Sequence, residues 1–103
     1  MRFSSWYPAE QIPTRAPARA GVFQIRAAGL LDYPSGRSAM VHYGADEDLR
    51  AALEAWAAAH GREGFLYRHA DELGGKTPGE QLQRLLSRFE GRFGAAPGSG
   101  STP

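Results

Sequence analysis

Cysteine is absent from the 103-residue sequence, and lysine occurs once, at Lys76. Without cysteine the chain has no disulfide, no thiolate nucleophile and no zinc–sulfur site. No apolar run approaches the roughly 20 residues that a membrane-spanning helix needs. The first ten residues also lack the apolar stretch of a secretory signal. We therefore expect a cytoplasmic protein that makes no membrane contact.

Histidine is also scarce, and the three residues present, His42, His60 and His69, are scattered. None of them has the spacing or the neighbouring acids of a metal site. We therefore predict no metal and no cofactor. A chain of this length is enough for one modest hydrophobic core, and thus for a single domain.

Charge is nearly balanced overall, at +1, but it is unevenly distributed. Residues 1–40 carry a net charge of +3, residues 41–75 carry −4, and residues 76–103 carry +2. This pattern by itself indicates neither a nucleic-acid ligand nor its absence, because no stretch of basic residues is dense.

Three short segments are predicted to be strands. Residues 20–26 alternate apolar and polar side chains, residues 39–43 are mostly apolar, and residues 64–69 combine aromatic and apolar residues. A Pro-Ser-Gly turn signal at 34–36 separates the first two. The simplest topology pairs those two as an antiparallel hairpin.

Two helices are predicted from their capping residues and apolar faces. Asp46 is a suitable N-cap for the first helix, and Gly61 stands where a C-terminal glycine belongs. In the second helix Thr77 and Glu80 form a capping box around a proline at the first helical position, and Gly94 ends the helix.

The sequence thus predicts a small α+β domain with element order β-β-α-β-α. Helices pack on a three-stranded antiparallel sheet, and residues 1–19 form an N-terminal arm. The domain covers residues 1–97. Residues 98–103 contain too little apolar surface to pack and are predicted to be a flexible tail.

This arrangement resembles the GIY-YIG endonuclease superfamily, in which a hairpin carries two named tripeptides and a helix follows the second. Here "GVF" (21–23) and "HYG" (42–44) stand at the tripeptide positions, and "DLRAAL" (48–53) is similar to the start of the family's first helix. The resemblance covers residues 3–97 and is also found with one subgroup of small stand-alone members. Its individual motifs are weak, and its specificity lies in their order and spacing.

In active members of that family two tyrosines, an arginine and a glutamate surround the scissile phosphate, and the glutamate holds a divalent metal. The matching positions in this chain are Phe23, His42, Ala52 and Leu82. All four residue types differ. Loss of both the metal ligand and the cation that stabilises the transition state removes several orders of magnitude in rate. The resemblance therefore implies a pseudo-nuclease, with no catalytic residue expected.

Three functions stay open. The first is an inactive domain that serves as a protein-interaction or assembly module, with a protein partner or a second copy of itself. The second is a nucleic-acid-binding domain that does not cleave and uses the arginines of its basic ends, which are Arg15, Arg19, Arg26, Arg84, Arg88 and Arg92. The third is a divergent metal-dependent nuclease with His42 as base and Arg50 as electrophile, beside Tyr43 at the strand–glycine–helix turn.

Overall fold

A computed structural model describes residues 1–102 of the chain. Its Cα radius of gyration is 13.1 Å, the value typical of a folded domain of about 100 residues. A short 3-10 turn follows the first strand, and the hairpin of the second and third strands follows the first helix. The elements are β1 (Tyr7–Pro8), α1 (Ile12–Arg15), β2 (Gly21–Tyr33), β3 (Gly36–Asp46), α2 (Leu49–His60), β4 (Leu66–Ala70) and α3 (Pro78–Phe93).

The strands β2 and β3 pair as an antiparallel hairpin, as the sequence predicts, with β2 inside the sheet and β3 at its edge. Both strands extend beyond the predicted 20–26 and 39–43. Two irregularities interrupt their pairing. Val41 is an extra residue on β3, and residues 27–30 bulge out of β2 before pairing resumes at Leu31. The segment 27–30 reads Ala-Ala-Gly-Leu and does not alternate, which is why the sequence pattern ended the strand too early.

The sheet has four antiparallel strands in the order β1-β4-β2-β3, so the prediction of three strands was wrong. The additional strand, β1, belongs to the segment predicted as an arm. It consists of two residues, with Tyr7 opposite Tyr67 and Pro8 opposite Leu66. A two-residue strand has no periodicity to detect, and its partner lies far away in sequence.

Helices cover both faces of this sheet. On one face α1 and α2 enclose the larger core, in which Ile12, Ile25, Leu49, Leu53 and Tyr67 are almost fully buried. On the other face α3 packs with Leu85 and Phe89 over β2 and β3. Successive residues of β2 therefore serve different cores, because side chains alternate across a strand.

Helix ends follow local sequence closely. The N-cap of α2 is Asp48, whose side chain accepts a hydrogen bond from the Ala51 amide, and not the predicted Asp46. Asp46 instead accepts a hydrogen bond from the Asp48 amide and shapes the preceding turn. The capping box of Thr77 and Glu80 at the start of α3 is present as predicted.

The C-terminal segment, predicted as a flexible tail over 98–103, lies against the hairpin as far as the structure describes it. Ser101 and Asp32 exchange two backbone hydrogen bonds, and the Gly98 amide donates to the Tyr33 hydroxyl. Pro103 lies outside the described residues. Within residues 1–102, no helix has the length and apolar character required to cross a bilayer.

Candidate functional site

A cleft of about 560 Å³ lies between α3 and the sheet and combines arginines with aromatic rings. We call it the α3 cleft. No acidic residue lines it in the part of the chain that the structure describes. The arginines and aromatic residues that line it are Arg68, Arg88, Arg92, Phe3, Tyr43, Phe89 and Phe93.

The orientation of α3 sets one side of the cleft. Leu85 and Phe89 point into the core, four residues apart on one helical face, and Arg88 and Arg92 occupy the neighbouring exposed positions with the same spacing. Phe89 is held edge-on by Tyr43, with ring centroids 5.5 Å apart. The two arginines therefore lie beside an aromatic surface that is fixed by the core.

The opposite side of the cleft is formed by the sheet. Gln24 on β2 and Arg68 on β4 are directly paired, and the Arg68 Nε donates to the Gln24 Oε1 at 2.8 Å. Gln24 is only 2% exposed. A buried amide that accepts from a guanidinium satisfies its own oxygen and fixes the arginine stem. Arg68 thus presents its remaining donors from a rigid position.

Burial changes the acid–base behaviour of the groups on the sheet side. It lowers the pKa of Arg68, and the charge of nearby Arg26 lowers it further, against an opposing effect of Tyr43. Burial also raises the pKa of Tyr43, partly offset by Arg68. The raised pKa keeps Tyr43 a neutral hydroxyl near pH 7, and the lowered pKa of Arg68 reflects the partial loss of solvent around its guanidinium group.

The structure separates the arginines that the sequence grouped as basic ends. Arg88 and Arg92 line the α3 cleft, whereas Arg84, one turn earlier on α3, is exposed outside it. Arg19 pairs with Asp71 at 3.1 Å, and Arg15 stacks on Tyr7 at 4.8 Å from the ring centroid, next to the α1–α2 core.

Arg26 stands close to the cleft, on β2 two residues after Gln24. Its guanidinium lies over the Trp6 ring, 5.4 Å from the centroid. Its Nε is buried and has no hydrogen-bond partner among the described residues. Of the predicted binding arginines, Arg26, Arg88 and Arg92 thus occupy one face of the sheet.

A second cavity, of about 440 Å³, lies on the opposite face of the sheet and contains His42. We call it the His42 pocket. The rings of Trp56 and His60 stack with their centroids 4.4 Å apart. The centroid of the His42 ring lies 6.2 Å from that of Trp56 and 5.6 Å from that of Phe23. Burial lowers the pKa of His42, and the neighbouring His60 adds to the effect. The imidazole of His42 is therefore neutral near pH 7.

The four positions that match the family site do not share one concavity. Phe23 is buried in the α1–α2 core, with His42 beside it, and Ala52 packs against the same core from α2. Leu82 packs against the cluster of Val22, on the α3 face of the sheet.

The three residues of the predicted residual site are likewise separated. His42 and Tyr43 are neighbours on β3 and point to opposite faces, toward Trp56 and Phe89 respectively. The Nε of Arg50 donates to the Ala16 carbonyl at 2.7 Å and so ties α2 to the loop after α1. Arg50 therefore has a structural contact, and the turn that carries these residues is not one site.

Phe3, Gln24, Arg68, Phe89 and Phe93 line the α3 cleft and were not among the site residues predicted from the sequence. Gln24 alternates with apolar residues on β2, and Arg68 lies beside His69 on β4, so neither residue stands out in the sequence. The signal is structural, because the buried amide of Gln24 needs a partner. Their pairing depends on a strand register that joins residues 44 positions apart.

No protein-family model, curated protein or solved structure matches this chain. Among residues 1–102 no group of three or more histidine, aspartate or glutamate side chains is placed to hold a metal ion.

Proposed function

We propose that this domain binds single-stranded nucleic acid through the α3 cleft and does not cleave it. The observation that carries the proposal is the composition of the cleft, in which Arg68, Arg88 and Arg92 surround aromatic side chains without an acidic neighbour. Single strands are bound by grooves that combine positive charge along the backbone with rings on which bases stack.

A single strand fits this cleft better than a duplex does. Tyr43 and Phe93 are half-buried in the recess between α3 and the sheet, and Phe89, which is only 4% exposed, supports them from the core. An unpaired base can enter this recess and meet the two partly exposed rings, whereas a base stacked within a duplex cannot. In a duplex the base faces are stacked on each other, and only Arg88 and Arg92 on exposed helix positions would meet its phosphates.

We expect no cleavage because of the residues at the four positions that match the family's catalytic site, which are Phe23, His42, Ala52 and Leu82. None of these residues supplies the tyrosine, arginine or glutamate of the family that the sequence resembles. Leu82 is also on the other face of the sheet from His42. The α3 cleft and the His42 pocket open on different faces, so a strand in the cleft is not presented to His42.

A protein partner or a homodimer has less support. Large exposed apolar side chains form the centre of most protein interfaces. The described residues include two such side chains, Met1 at 46% exposure and Leu30 at 54%. Leu30 belongs to the bulge of β2, and Met1 lies at the α3 cleft.

The direct test is fluorescence anisotropy of a labelled 12-nucleotide single strand titrated with protein at several salt concentrations. Three arginine–phosphate contacts predict a slope of log K against log salt of about −2, since each contact contributes about 0.7 in single strands. Arg88→Gln combined with Arg92→Gln should reduce the slope by about 1.4. Glutamine keeps helix propensity, so α3 should remain folded.

The matched control is Arg15→Gln combined with Arg37→Gln, which removes the same charge away from the cleft. We expect this variant to bind nearly as well as the unchanged protein. Equal weakening by the two double variants would mean that binding is a property of net charge and not of the α3 cleft. No binding at 20 mM salt would refute the proposal, and strand cleavage with Mg²⁺ or Mn²⁺ that His42→Ala abolishes would refute its non-cleaving part.

A further inference from the structure

Two arginines converge on one tryptophan beside the α3 cleft. The guanidinium carbon of Arg68 lies 4.5 Å from the centroid of Trp6, and that of Arg26 lies 5.4 Å from it. Arg68 also lies over the ring of Phe3, at 4.4 Å. The N-terminal segment thus contributes two rings that position these cations.

The sheet fixes the bases of both side chains on the same face. Gln24 and Arg26 are two residues apart on β2, and Arg68 on β4 is directly opposite Gln24, so Arg26 and Arg68 are diagonal neighbours. The hydrogen bond from Arg68 to the buried Gln24 leaves the outer nitrogens of this guanidinium free. Both cations are therefore held before any ligand arrives.

Neither of these arginines has an acidic partner among the described residues, whereas Arg19, Arg37 and Arg62 each pair with a carboxylate. Two half-buried cations repel each other and lose part of their hydration, which the ring contacts and the hydrogen bond to Gln24 offset without any neutralising charge. The Nε of Arg26 is moreover buried without a hydrogen-bond acceptor. An anion carrying two charges and several acceptor oxygens would offset the repulsion between the two cations and accept from the outer nitrogens of their guanidinium groups.

We propose that Arg26 and Arg68 bind the terminal phosphate monoester of a nucleic-acid strand whose first nucleoside occupies the α3 cleft. Arg68 lines that cleft, so the arginine pair and the aromatic surface are continuous. A monoester carries a charge of about −1.5 to −2 near pH 7, which matches two guanidinium groups, while an internal diester carries only −1. This inference rests on the proposed function and specifies the end of the strand that the domain recognises.

The experiment compares three strands of identical sequence that carry a 5′-hydroxyl, a 5′-phosphate or a 3′-phosphate, by competition in the anisotropy assay. We expect one of the two phosphorylated strands to bind at least about tenfold more tightly than the hydroxyl strand. The preference should disappear in Arg26→Gln and in Arg68→Gln. It should also weaken below about pH 6, where the monoester loses its second charge.

The matched control for these variants is Arg15→Gln, which removes an arginine that also stacks on a ring, that of Tyr7. It should leave the end preference unchanged. If all three strands bind equally and binding still depends on Arg88 and Arg92, this inference is refuted while the proposed function stands. If none of the strands binds, the proposed function itself fails.

A second measurement keeps both arginines, so its result does not depend on whether the arginine variants fold. Trp56→Phe leaves Trp6 as the single tryptophan, in contact with both arginines. Adenosine monophosphate should change the Trp6 emission of this protein with saturation, whereas adenosine at the same concentration should not. Equal responses to the two compounds would overturn the assignment of a phosphate site to Arg26 and Arg68.

Discussion

Replacing Gly44 by alanine should destabilise the domain, because the hairpin brings Gly44 directly opposite Phe23. The phenyl ring lies over the glycine, and a methyl group at this position would overlap three of its ring atoms. Phe23 is only 4% exposed and is enclosed by the core of α1 and α2. The ring has no free space into which it can move.

The expected size of the effect follows from overpacking of a dense core. Extra methyl groups in such cores cost about 1–3 kcal/mol. Loss of glycine from the unfolded chain offsets roughly 0.5 to 1 kcal/mol of this. We therefore expect a net loss of about 1–2 kcal/mol, which for a domain of this size lowers Tm by about 5–15 °C.

The assay is urea unfolding of four proteins: unchanged, Gly44→Ala, Phe23→Leu and the double variant. Since the smaller leucine vacates space above Gly44, the double variant should cost at least about 1 kcal/mol less than the two single changes added together. Additivity within about 0.5 kcal/mol would refute the argument that these two residues compete for the same space. Gly91→Ala is the control, for which we expect stabilisation instead of destabilisation. Gly91 is exposed within α3, and a methyl group there meets no other atom, so alanine should stabilise the helix by about 0.5–1 kcal/mol.

Three further changes test other parts of the fold. Thr77→Ala removes the hydroxyl that accepts a hydrogen bond from the Glu80 amide, while the bond from the residue-77 amide to the Glu80 carboxylate can persist, so we expect thermal unfolding to show a loss of about 1 kcal/mol. Leu53→Ala opens a cavity at a fully buried position and should cost about 2–5 kcal/mol in urea unfolding, with a smaller loss counting against tight packing there. Burial lowers the pKa of His42, so below the ordinary value of 6.5 the unfolded chain binds more protons than the folded one, and the free energy of unfolding should fall as the pH decreases from 7 to 5. His42→Gln should make this pH dependence shallower. An unchanged slope would contradict the assignment of a buried neutral imidazole.

The sequence was informative about the fold where the determining interactions are local. The helices α2 and α3 follow from capping residues and apolar spacing, and the box of Thr77 and Glu80 is complete within four residues. The choice between Asp46 and Asp48 as the cap of α2 was not decided by residue type, since both are good caps; it depends on where the chain leaves β3. The strand β1 depends on pairing with a segment 60 residues later, which no local pattern reveals.

The candidate site was less predictable, because its parts meet only through the sheet register. Arg88 and Arg92 could be selected by their helical spacing, but the sequence does not show that they face Arg68. Arg26 and Arg68 each appear as one charge in a predicted strand. Their relation to Trp6 depends on where the N-terminal segment lies, and this segment has little periodicity of its own.

The short strand β1 gives the N-terminal segment a thermodynamic role. Backbone pairing between residues 1–8 and β4 is limited to two residue pairs and the hydrogen bonds between Ser4 and His69. Opening of this segment therefore costs far less than unfolding of the domain. Because Phe3 and Trp6 hold Arg68 only when the segment is docked, docking and anion binding are linked equilibria, and each must strengthen the other by the same factor. A bound phosphate would accordingly slow amide exchange at Ser4, whose amide donates to the His69 carbonyl and which does not itself line the α3 cleft.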